Sequence, residues 1–146
     1  LRLRAPRCAL RLLAPDAAER YRSGMKFTQD SSPNLNVIRG YGDGELRING
    51  EIFYSAMIIG PSALRAEAAA LGVADLNLEH IARIREFEPE LVLLGTGRRQ
   101  IFPPAFFGAE FLRAGIGFEV MDTGAACRTF NVLVSEQRRV VGLLLV

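Results

Sequence analysis

Leu91-Val92-Leu93-Leu94 is an unbroken apolar run, bounded by Pro89-Glu90 before it and Gly95-Thr96-Gly97 after it. Successive residues of a strand point to opposite faces, so four apolar side chains in a row require cover on both sides. The segments that follow supply such cover. Pro103-Pro104 predicts the start of a helix carrying Phe106, Phe107, Glu110, Phe111 and Leu112 up to Gly115. Phe118 to Met121 then reads as a second short buried strand. A strand–helix–strand unit predicts two parallel strands joined by a right-handed crossover. Asp122-Thr123 caps a further helix running to about Gln137, and Val140 to Val146 reads as a final strand.

Strand patterning begins upstream at Leu35. Tyr41-Gly42-Asp43-Gly44 is a turn cluster, after which Glu45 to Ile48 alternates polar and apolar. Asn49-Gly50 predicts a two-residue hairpin turn of type I′, which needs positive φ at both central residues. Glu51 to Ile59 is expected to form one returning strand, stopped by Gly60-Pro61. Residues 63–71 leave two options, a helical turn or a short edge strand. Asp75-Leu76-Asn77 opens a helix in which Leu78, Ile81, Ile84 and Arg85 keep helical spacing, and Phe87 closes it before Pro89. The predicted fold class is α/β: a single domain with an N-terminal antiparallel hairpin followed by β-α-β-α-β.

Composition narrows the function classes. The length of 146 residues suits one domain, and 49% apolar content builds a core without disulfides or metal. A charged fraction of 23% argues against a disordered chain. Runs such as Leu91–Leu94 and Leu143–Val146 fall far short of the ~20 residues that cross a bilayer, so no membrane insertion is expected. One His, no Trp and two distant cysteines, Cys8 and Cys127, imply no metal, no cofactor and no disulfide framework. A reducing compartment such as the cytoplasm is expected. The net charge of +2 divides unevenly: residues 1–24 hold six arginines against Asp16 and Glu19, a net of +4, and the rest carries −2. The folded part therefore lacks the basic stripe that nucleic acid requires, and no such partner is expected. Residues 1–24 read as a leader outside the domain, disordered or translated from a start upstream of Met25, with the domain spanning 25–146. Asp16 and Glu19 oppose a transit peptide, and Arg11 interrupts the only candidate secretory core.

Two loops hold the residues of interest. Gly95-Thr96-Gly97-Arg98-Arg99 and Asp122-Thr123-Gly124-Ala125-Ala126 leave the C-terminal ends of the two predicted parallel strands. They would open on one sheet edge, where ligands sit in open α/β folds. Arg128, Asn131 and Ser135 share one face of the following helix, and small residues at its start leave backbone N–H groups approachable. The candidate binding edge is Gly95, Thr96, Gly97, Arg98, Asp122, Thr123, Gly124, Arg128 and Asn131. Neither loop is a nucleotide motif: the third Rossmann glycine is absent, and no Gly-Lys-Ser/Thr follows. The plainer reading makes Gly95 and Gly97 a tight turn and Asp122 a helix cap. His80 reads as a surface or boundary residue, Cys127 as a buried structural thiol, and Phe102, Phe106, Phe107 and Phe111 as core. No catalytic constellation emerges.

The segment Glu90 to Gly97 followed by Phe102-Pro103, and Met121 to Leu133 followed by Glu136 and Arg138, resemble two signatures of one family. That family is the small αβ domain shared by mitochondrial complex I assembly factor 3 and its uncharacterised bacterial relatives. Ile48-Asn49-Gly50 and Ser55 to Pro61 are similar to its early block, so the resemblance covers about residues 30–146; the family commonly has Tyr where Phe130 stands. The resemblance implies a three-layer domain with a central mixed sheet and no established enzymatic activity. It implies a protein partner, and it adds the mitochondrial matrix as the alternative compartment. The expected function is a non-enzymatic protein-binding domain resembling a respiratory complex I assembly factor. The alternative is a small-molecule-binding domain or enzyme using the Gly95–Gly97 and Asp122–Arg128 loops.

Overall fold

The computed structural model describes residues 34–146; the expectations for residues 1–24 and for the boundary at Met25 lie outside them. Strands β1 (Ile38–Gly42), β2 (Glu45–Ile48) and β3 (Glu51–Phe53) form a three-stranded antiparallel sheet. Gly44, at φ +79°, closes the first turn. At the second turn Asn49 takes φ +59° but Gly50 is not in the positive region, so the turn is not type I′. Asn49 has other obligations there. Its N–H donates to the Val37 carbonyl at 2.9 Å, its Oδ1 accepts from the Val37 N–H at 2.9 Å, and its Nδ2 donates to Asn36 Oδ1 at 2.9 Å.

The expected single strand 51–59 breaks in two. β3 ends at Phe53, the chain crosses over at residues 54–56, and β4 (Met57–Ile59) joins a second sheet. Burial explains the division: Glu51 and Ile52 are exposed, as in a one-faced sheet, whereas Met57 to Ile59 are buried on both faces. The second sheet has five strands in the order β5 (Leu64–Ala66), β4, β8 (Val140–Leu144), β6 (Leu91–Gly95), β7 (Gly117–Met121). Of the two options for residues 63–71, the edge strand is realised. β6 runs parallel to β7 and to β8, and β4 runs antiparallel to β5 and β8, so the sheet is mixed. β7 is its edge strand and not the buried strand expected, because among the described residues nothing pairs beyond it; Glu119 is exposed.

Strand alternation sorts the core into two layers of contact. Ile58, Val92, Leu94, Val141 and Leu143 meet helices α1 (Leu78–Arg85) and α2 (Ala105–Arg113) through Ile81, Ile84, Phe107 and Phe111. Met57, Ile59, Leu93, Val140 and Leu144 meet helix α3 (Thr123–Ser135) and the small sheet through Ala126, Phe130, Val134, Ile38, Leu46 and Ile48. The result is a three-layer α/β domain with a central mixed sheet. Phe107, Phe111 and Phe118 pack with ring centroids 5.5–5.8 Å apart. Phe102 and Phe106 are not core: 73% and 39% of their surfaces stay exposed, since Phe102 precedes α2 and the i, i+4 pair Phe107/Phe111 takes the sheet-facing stripe.

His80 is also not at the surface. It is buried at the third position of α1, where its Nδ1 accepts the Asn77 N–H at 3.1 Å while Asn77 Oδ1 accepts the His80 N–H at 3.3 Å. Glu67, held by Arg83 through two hydrogen bonds of 2.9 and 3.1 Å, lies 3.9 Å from its Nε2. Burial first and the neighbouring Arg83 second push the imidazole pKa down, against an opposing pull from Glu67. The fold therefore prefers neutral His80. This contribution to stability is full above the unfolded pKa of ~6.5 and disappears as pH falls through the lower folded value. Urea midpoints measured from pH 7.5 downward should fall more steeply for the parent than for His80→Gln, which keeps an acceptor at that capping position and does not titrate. Parallel pH profiles for the two proteins would refute this account.

Candidate functional site

The parallel register of β6 and β7 aligns Gly95 with Met121, so both loops do leave on one edge of the sheet. They are joined there by a short network. The Thr96 N–H donates to the Met121 carbonyl and the Thr123 N–H to the Gly97 carbonyl, both at 2.9 Å. Thr123 Oγ1 accepts the Gly97 N–H at 2.7 Å and donates to the Leu145 carbonyl at 2.7 Å, tying the β6 loop, α3 and the end of β8 together. Thr96 Oγ1 donates to the Arg99 carbonyl at 2.6 Å and accepts the Ile101 N–H at 3.0 Å, closing its own loop. Two glycines make this geometry accessible. Gly97 sits at φ +96°, and a Cβ on Gly95 would lie 3.0 Å from Thr123 Cα.

Asp122 caps α3, its Oδ1 accepting the Ala125 N–H at 2.8 Å. With Thr123 bonded to Gly97 and Ala126 to the Asp122 carbonyl, Gly124 has the one N–H of this turn with no hydrogen bond among the described residues. Asp122→Ala should cost about 1 kcal/mol of stability in urea denaturation. A variant as stable as the parent would mean the cap carries no weight.

Around Gly124 the candidate side chains converge. A Cβ at that position would lie 3.3 Å from Asp122 Oδ1, 3.6 Å from Arg128 Nη1 and 3.9 Å from the Tyr41 ring. Arg98 turns toward the small sheet and pairs with Asp43 at 2.7 Å, an exposed bridge that holds the Asp43 carboxyl below the usual carboxylate range. Beside that bridge opens a cleft of about 440 Å³, lined among others by Tyr41, Asp43, Gly97, Arg99, Ile101 and Val146; Asp122, Gly124 and Arg128 are not part of its lining. Burial raises the Tyr41 pKa. Asn131 is not at this cleft: its amide accepts the Ile38 N–H at 2.9 Å and donates to the Ile38 carbonyl at 2.8 Å, fastening β1 to α3. Cys127 is buried, and that burial pushes its thiol up to about 12, far from a thiolate nucleophile. No group of three or more His, Cys, Asp or Glu among the described residues is placed to hold a metal ion. Sequence reasoning missed Tyr41 and Asp43. They read locally as a turn, and only the packing of the small sheet against α3 brings them to the cleft.

A three-layer αβ domain with threonine-locked strand-end loops is thus the class of protein at hand. The chain belongs to the family described as protein of unknown function (DUF498/DUF598), whose model matches residues 38–145. It is 31% identical over 137 residues to the NADH dehydrogenase [ubiquinone] 1 alpha subcomplex assembly factor 3 of Danio rerio, covering 91% of this chain and 78% of that protein. It is 29% identical to the 13 kDa major membrane protein of Francisella tularensis, covering 68% of this chain and 82% of that one. The solution structure of a Bordetella pertussis protein, a Mth938-like domain, superposes with a TM-score of 0.69 at 30% identity, covering 83% of this chain and 92% of that one. Among the described residues no helix is long and apolar enough to cross a membrane.

Proposed function

We propose that the chain is a non-enzymatic protein-binding domain with an assembly-factor role, holding its partner at the edge formed by the Gly95–Arg98 and Asp122–Arg128 loops. One observation carries this reading. The polar groups that a catalytic site would need, the Thr96 and Thr123 hydroxyls and the Asp122 carboxylate, are engaged in holding the edge itself. What the edge presents outward is Arg128, Arg98 and Arg99 beside the exposed Ile101 and Phe102. An arginine beside exposed apolar side chains suits a protein partner bearing a carboxylate. Kinship with the assembly factor of Danio rerio supports the same reading. The place of action is the bacterial cytoplasm or, for a mitochondrial member, the matrix. The cleft supports a second reading, small-molecule binding at the same edge.

The test is capture from native cells on the immobilised chain, with partners quantified by mass spectrometry. Arg128→Ala and Arg98→Ala should each lower recovery without moving the circular dichroism spectrum or the melting temperature. Arg128→Ala should do more, because Arg98 is already neutralised by Asp43. A double variant recovering every partner at parental yield would sink the reading, and recovery of a bound small molecule alone would select the second.

A further inference from the structure

Strand β7 closes one side of the five-stranded sheet, and its main chain is only half used. Gly117 donates its N–H to the Glu90 carbonyl at 3.0 Å, and Met121 accepts from Thr96 at 2.9 Å, so residues 117, 119 and 121 face β6. In a parallel ladder the intervening residues then turn both N–H and C=O away from β6. Phe118 and Val120 are those residues. The Val120 carbonyl is taken by Gln100 Nε2 at 3.0 Å, an exposed side chain that can swing off. The Phe118 N–H and C=O and the Val120 N–H have no hydrogen bond among the described residues. The opposite treatment is seen on β1, where the Asn131 amide occupies both main-chain groups of Ile38.

We propose that β7 is a docking edge for an extended basic segment of a partner protein, which adds to the sheet as a sixth strand with a Lys or Arg opposite Glu119. The charge at the centre of the edge decides the occupant. Antiparallel pairing of two copies about their two-fold axis would match Phe118 with Val120 and set Glu119 directly against Glu119. Like charges in directly opposed positions are destabilising, whereas opposite charges attract. Glu119 is exposed, with no hydrogen bond or ion pair among the described residues. A second copy is therefore disfavoured and a basic strand favoured. Half-buried apolar side chains flank the charge on both faces: Phe118 and Val120 on the α2 side, Leu91, Met121 and Leu133 on the α3 side. Alternate apolar residues of an added strand would pack on these. This inference does not depend on the loop edge, which the capture experiment tests through Arg98 and Arg128.

The experiment is a titration of the isotope-labelled chain, followed by amide NMR, with two synthetic peptides of alternating Val and Thr that differ only in a central Lys or Glu. The Lys peptide should shift the Phe118 to Val120 amides and slow exchange of the Phe118 and Val120 N–H groups. The Glu peptide should bind roughly tenfold more weakly, and Glu119→Lys should reverse that preference. Shifts confined to other segments, equal affinity for both peptides, an unreversed preference, or no binding of either peptide would each overturn the proposal. So would a parent chain that already pairs with itself through β7.

Discussion

Thr123→Val is expected to destabilise the domain by about 2–4 kcal/mol, read as a lower urea midpoint with unchanged slope. Thr123 is fully buried, and its hydroxyl joins the Gly97 N–H to the Leu145 carbonyl with two bonds of 2.7 Å. Valine has nearly the same shape, so no cavity forms, but a part-buried donor and a buried acceptor lose their common partner. Each such orphan costs roughly 1–3 kcal/mol. Thr123→Ser keeps the hydroxyl and loses a methyl, and should cost about 1 kcal/mol. Amide exchange at Gly97 should quicken in the valine variant and not in the serine one. A valine variant as stable as the parent would show that the loops are held by something else.

Gly95→Val should also cost a large amount, about 3 kcal/mol, by crowding instead of by orphaning. A Cβ on Gly95 would come within 3.0 Å of Thr123 Cα and Oγ1 and 3.1 Å of Ala126 Cβ. Thr123 Cα belongs to the first turn of α3 and cannot rotate aside as a side-chain tip would, so the helix must shift, and overpacking of this kind typically costs about 1–3 kcal/mol. Thermal melts would register it. Because Gly95 and Thr123 share atoms at one contact, the double variant should lose less than the two single losses added together. Full additivity would mean the two residues act at separate places.

The same contact explains what could be read from the chain and what could not. The run Leu91–Leu94 and the segment after Asp122 declared themselves through local patterns, apolar continuity and a capping residue, and those elements are present in the fold. The three-layer arrangement with a mixed sheet followed from the family signatures. The break at residues 54–56 was not legible, because strand formers flank Ser55-Ala56 on both sides with no Gly or Pro between them, and only the separate burial of the two halves assigns them to two sheets. Phe102 misled for a related reason: its chemistry says core, but it falls before the helix whose apolar stripe would have turned it inward. The parallel-strand argument put the loops after Gly95 and after Met121 on one edge of the sheet, and the β6–β7 register has them leave there. Asn131 was grouped with them by helical spacing, although its side of α3 is occupied by β1. Asp43 and Tyr41, more than fifty residues away in sequence, could enter only through tertiary packing.

The position of β8 bears on how such a chain is made. Val140–Leu144 sits at the centre of the five-stranded sheet, antiparallel to β4 on one side and parallel to β6 on the other. As the ribosome delivers the polypeptide, β4–β5 and β6–β7 can each pair early, yet the two halves have no shared ladder until Val140–Leu144 emerges. Until then β4 and β6 expose the edges that β8 will fill, and the apolar floor beneath α3 lacks Val140 and Leu144. Closure of the sheet is therefore a late event built on long-range pairings, which fold slowly and leave sticky intermediates meanwhile. A transcript truncated before Val140 would yield not a weakened domain but two unjoined half-sheets, substrates for chaperones and proteases.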